Sequence, residues 1–72
     1  MERNAVISSL FASIGFDATT NTMEVEFVGG KIYRYFAVPE RVFLEFMQAG
    51  SKGTYFGEHI RDKFPYKRAH WD

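Results

Sequence analysis

The feature that most limits how this chain can fold is a pair of adjacent glycines, Gly29-Gly30, between two alternating runs. Met23-Glu24-Val25-Glu26-Phe27 precedes the pair, and Lys31-Ile32-Tyr33-Arg34-Tyr35-Phe36 follows it. Glycine has no Cβ and enters positive φ without steric cost, so a glycine pair between β-prone runs signals a hairpin. Two registers are open. A two-residue Gly29-Gly30 loop pairs Val28 with Lys31 and sets Glu26 against Tyr33. A three-residue loop, Val28-Gly29-Gly30, with Gly30 left-handed as a bulge, pairs Glu24 with Arg34, Val25 with Tyr33 and Met23 with Tyr35. The second register separates apolar from charged side chains. It also opposes unlike charges across the strands, a gain of up to ~1 kcal/mol. The bulged register is the one expected.

At 72 residues the chain is one small domain. A domain of this size buries only about 60% of its unfolded surface, so its core must be dense. Eight phenylalanines, within an aromatic content of 18%, supply that density. The chain has no cysteine, which excludes a disulfide framework and a cysteine zinc site. No charged leader precedes an apolar run, and no apolar run approaches a membrane span. A cytoplasmic protein with no membrane partner is expected. Net charge is zero overall, yet residues up to Gly30 sum to −3 and those from Lys31 onward to +3. Such asymmetry hints at an anionic ligand.

Along the chain, residues 1 to 5 read as a frayed terminus. From Val6 to Phe16 the sequence alternates, with Leu10, Ala12, Ile14 and Phe16 on one face and Ser9, Phe11, Ser13 and Gly15 on the other. Asp17 to Thr22 is a turn of short hydrogen-bonding side chains. Strands over 23–27 and 31–36 complete a meander. Pro39 suits the first position of a helix whose apolar side carries Val42, Phe43, Phe46 and Met47. Ser51 caps a second helix with Phe56, Ile60 and Phe64 on its buried stripe, and Pro65 stops it. Gly53 and Gly57 weaken that helix, and mark either close backbone approach or irregular helix. Tyr66 to Trp71 is a tail or a short extra strand. The fold class is therefore α+β: a three-stranded antiparallel meander with two C-terminal helices on one face.

The best basic cluster is Arg61, Lys63, Lys67 and Arg68, with Lys52 nearby and Tyr66, His70 and Trp71 interleaved. Cations mixed with aromatics suit phosphate contact plus base stacking, with Arg34 as a further contact. The plainer reading is a solvated helix flank and tail. Tyr33 and Tyr35 form either a stacking platform or, as the bulged register favours, part of the core. Ser51-Lys52-Gly53-Thr54 can bind an anion but more simply caps a helix. His59 and His70 lack metal-ligand spacing, and Ser8, Ser9, Ser13 and Ser51 lack a nucleophile pattern. Neither an enzyme nor a cofactor is expected. Two binding readings follow: an RNA-binding module, or a protein-interaction module or homodimer using Phe11, Ile32 and Phe36 on the uncovered sheet face.

The ordered set Ser8-Ser9, Phe27, Gly30, Tyr33-Arg34-Tyr35, Val38-Pro39, Ala49, Ser51-Lys52-Gly53 and Ile60-Arg61 resembles the KTSC domain, over a core of about residues 6–66. That family takes its name from a domain at the C-terminus of some lysyl-tRNA synthetases and also occurs as small free-standing bacterial or phage proteins. The resemblance implies that Tyr33, Tyr35, Pro39, Ser51 and Gly53 are family-motif positions of structural character. RNA binding is implied by association with the synthetase alone.

Overall fold

The computed structural model describes residues 1–69. Its elements are β1 (Arg3–Ala5), β2 (Phe11–Asp17), β3 (Thr22–Phe27), β4 (Ile32–Tyr35), α1 (Glu40–Gln48), α2 (Lys52–His59) and β5 (Tyr66–Ala69). The sheet has five antiparallel strands in sequence order. The expected three strands are its centre. The terminus expected to fray is β1, which pairs Arg3 with Gly15 and Ala5 with Ser13. The stretch left as tail or strand is β5, which pairs with β4. Both are three- or four-residue edge strands, too short to show a periodicity in sequence.

The central hairpin has the bulged register. Met23 faces Tyr35, Glu24 faces Arg34, and Val25 faces Tyr33. Gly29 and Gly30 take φ of 109° and 98°, and the Gly30 amide donates to the Phe27 carbonyl at 2.9 Å. A left-handed turn at these angles is what a glycine pair supplies.

The first long strand departs from simple alternation. β2 pairs Phe11 with Phe27 but Ser13 with Glu26, so Ala12 is an extra residue in a β-bulge. The bulge turns Phe11 onto the helix side, where it is 1% exposed, while Leu10 is left 41% exposed. The expected face assignment of Phe11 is thereby reversed, because the inserted residue inverts the strand position before it, while Leu10 precedes the strand and stays on the helix side as expected.

The core lies between the sheet and the helices. Ile14, Met23, Val25, Val38, Phe46 and Ile60 are fully buried. Phe11 packs edge-on against Phe46 and Phe56, with ring centroids 5.3 and 5.1 Å apart. Pro39 is the N-cap of α1, one position earlier than expected, and its carbonyl accepts from the Val42 amide at 2.9 Å. Ser51 caps α2, its Oγ accepting from the Thr54 amide at 3.3 Å. α2 ends at His59, before Pro65 is reached, and Phe64 follows in a turn.

The open sheet face is polar at its centre. Glu24, 2% exposed, accepts from Arg34 Nε at 2.8 Å and from Arg3. Ser13 donates to Glu26 at 2.8 Å and accepts from Arg3 Nε at 2.9 Å. Phe11 is absent from this face, and Ile32 is 8% exposed, so Phe36 is the expected docking residue that stays accessible, at 37%.

Candidate functional site

A cleft of about 450 Å³ opens on the helix side, between α2 and the β4–β5 edge of the sheet. Leu10, Phe27, Tyr33, Tyr35 and Tyr66 give it aromatic and apolar walls; Gly53, Phe56 and Gly57 contribute from α2, and Arg61 and Asp62 from the turn after it. Antiparallel register builds the tyrosine wall. Tyr35 faces Tyr66 across β4 and β5, and alternation puts Tyr33 on the same side. The Tyr66 ring lies 5.8 Å from Tyr33 and 5.4 Å from Tyr35. Tyr35 is buried, whereas Tyr66 stays 55% exposed. Burial raises the Tyr35 phenol to about 12, with the neighbouring Tyr66 and Tyr33 adding to the effect. It is therefore a neutral hydroxyl at all physiological pH.

The two glycines of α2 lie four residues apart, on one face of the helix. A Cβ at Gly53 would make ordinary contact with Leu10, at 3.7 Å, and one at Gly57 would meet no atom within 4 Å. Asp62 sits at a φ of 62°, in the left-handed region. Non-glycine residues in that region cluster at functional turns.

The predicted basic cluster divides between two faces. Arg68 faces Tyr33, so it shares the cleft's side of the sheet, and Arg61 lines the cleft. Lys63 is exposed in the turn between α2 and β5. Lys67 faces Arg34, which places both on the opposite, open face. Lys52 folds back to the Ala49 carbonyl at 3.4 Å. His70 and Trp71, the remaining aromatics of the predicted cluster, lie outside the described residues.

Of the motif positions, Tyr33, Tyr35 and Gly53 converge on the cleft, while Pro39 and Ser51 cap helices. Tyr33 and Tyr35 are thus core residues on one side and cleft wall on the other. Sequence reasoning singled out neither Leu10 nor Phe27 nor Asp62 as cleft residues. Gly57 was legible as a helical glycine, but the space it opens belongs to tertiary structure. Among the described residues no group of three or more histidine, aspartate or glutamate side chains is placed to hold a metal ion. Among them, too, no helix is long and apolar enough to cross a membrane.

Comparison with known proteins gives a consistent result. The family model described as the KTSC domain matches residues 7–64. A lysine–tRNA ligase from Trichormus variabilis is 43% identical over 53 residues, 74% of this chain. A protein of Stutzerimonas stutzeri is 41% identical over 58 residues, covering 81% of this chain and 82% of that protein. The chain spans only 9% of the length of the ligase it matches. The crystal structure of a KTSC domain protein from Yersinia pestis superposes with a TM-score of 0.91 and 38% identity, over 96% of this chain and 97% of that one. On these matches the chain belongs to the KTSC domain family.

Proposed function

We propose that this domain is a small non-catalytic binding module that takes single-stranded RNA at the tyrosine-lined cleft. One observation carries the reading: Arg61 and Arg68 lie on the same side of the molecule as Tyr33, Tyr35 and Tyr66. Cations beside open aromatic rings provide the two terms that hold single strands, phosphate neutralisation and base stacking. Lys63, exposed in the same turn as Arg61, adds a third cation. The similarity to segments of lysine–tRNA ligases, whose names place them with RNA, gives support by association. Arg34 and Lys67 belong to the other face and contribute less.

The test is charge reversal of Arg61 and Arg68 together. R61E/R68E protein should lose low-salt binding to mixed-sequence single-stranded RNA while its circular dichroism stays that of the wild type. Full retention of binding by this variant would move the interface elsewhere. A second reading, association with a protein partner or a second copy through the open sheet face, draws on exposed Phe36. Binding that persists at high salt and is lost in Phe36→Glu would favour it.

A further inference from the structure

Gly57 stands where nothing in the fold calls for glycine. It lies inside α2, its φ is not left-handed, and a Cβ there would meet no atom within 4 Å. Glycine is among the poorest residues for a helix interior. Gly57 lines the cleft, so a side chain added there would stand at the cleft wall.

A second observation points into the same space. Tyr35 is only 5% exposed, yet its hydroxyl makes no hydrogen bond among the described residues. No fully enclosed side-chain oxygen among them lacks a partner, so this hydroxyl opens onto the cleft that Tyr35 lines. A phenol can donate or accept, which matches the mixed donors and acceptors along the edge of a nucleobase. Beside Tyr35, with ring centroids 5.4 Å apart, Tyr66 is 55% exposed.

We propose that the cleft is a pocket for one unstacked RNA base, which enters across Gly57, stacks on Tyr66 and hydrogen-bonds through its edge to the Tyr35 hydroxyl. The proposal rests on the RNA-binding reading and adds to it the base as the recognised group. Flanking phosphates fall to Arg61 and Arg68, which lie on that side of the sheet.

The experiment compares two labelled strands of equal length and charge, a mixed-sequence single-stranded RNA and an abasic ribose–phosphate strand, by fluorescence anisotropy. Wild-type protein should bind the base-bearing strand about tenfold more tightly. Gly57→Leu should remove that preference while leaving affinity for the abasic strand unchanged. Gly57→Ala should weaken base binding and raise the thermal midpoint, a pairing that a purely structural glycine would not give. Tyr35→Phe should weaken the base-bearing strand about fivefold and leave the abasic one alone. Equal wild-type affinity for the two strands would overturn the base pocket and leave a phosphate-binding surface. So would a preference undiminished in both Gly57→Leu and Tyr35→Phe. No wild-type binding to either strand would overturn the RNA-binding reading as well.

Discussion

Arg34 Nε donates to Glu24 Oε1 at 2.8 Å, and that pair ties β3 to β4 on the face that no helix covers. Arg3 of β1 bonds the other carboxylate oxygen, so one glutamate links the edge strand to the central hairpin. Burial by itself would raise the Glu24 carboxyl; the hydrogen bonds from Arg34 and Arg3 outweigh it and hold the group below its ordinary value of 4.5. Glu24→Gln should therefore destabilise the domain at neutral pH by about 2 kcal/mol, since hydrogen bonds to a charged group are lost. Its pH dependence should also change. As pH falls below 4.5 the unfolded carboxylate takes up its proton before the folded one, so wild-type stability declines. Urea midpoints measured from neutral to acid pH should show a shallower decline in Glu24→Gln.

Phe46 anchors α1 in the aromatic core, with ring centroids 5.3 Å from Phe11 and 5.7 Å from Tyr55. Phe46→Ala leaves a cavity costing about 3–5 kcal/mol, comparable with the whole stability of a small domain. The variant should be largely unfolded at room temperature by circular dichroism. A denaturation midpoint near wild type would mean that the helical face is misplaced.

Ala37, between β4 and α1, has a φ of 58°. A left-handed non-glycine residue costs roughly 1–2 kcal/mol, and glycine gives back about 0.4–1 kcal/mol through the freer unfolded chain. Ala37→Gly should thus stabilise modestly, by about 0.5 kcal/mol. Gly30→Ala, at a φ of 98°, should do the reverse. Thermal melts of the two variants should move in opposite directions.

How much of this was legible in sequence depended on how local each determinant was. The hairpin register followed from Gly29-Gly30 and from the charges of Glu24 and Arg34, all within one short segment. Both helix caps, Pro39 and Ser51, were likewise local signals, one of them displaced by a residue. The Ala12 bulge was not legible, because its neighbours Phe11 and Ser13 alternate perfectly well without it. β1 was missed because Arg3 is held by long-range partners, Ser13 and Glu24. The cleft needed the register of β5 against β4, which alone decides that Arg68 joins Tyr33 and that Lys67 joins Arg34.

Tyr35 gives an alkaline signature. Its phenol is raised to about 12 from an ordinary 10.0, chiefly by burial. Between those values the unfolded phenol is already ionised while the folded one keeps its proton, so stability falls as pH rises through the interval. Tyr35→Phe removes this contribution. Its loss of stability between pH 10 and 12 should be smaller than that of the wild type in matched chemical denaturation.

Whether the cleft binds RNA is read most directly from the dissociation constant of the wild-type protein for mixed-sequence single-stranded RNA across a salt series. With Arg61, Lys63 and Arg68 each meeting a phosphate, log affinity should fall linearly against log salt with a slope of about −2. Arg61→Gln should make that slope shallower by about 0.7. An affinity that does not change with salt, or no binding even at the lowest salt, would contradict the reading.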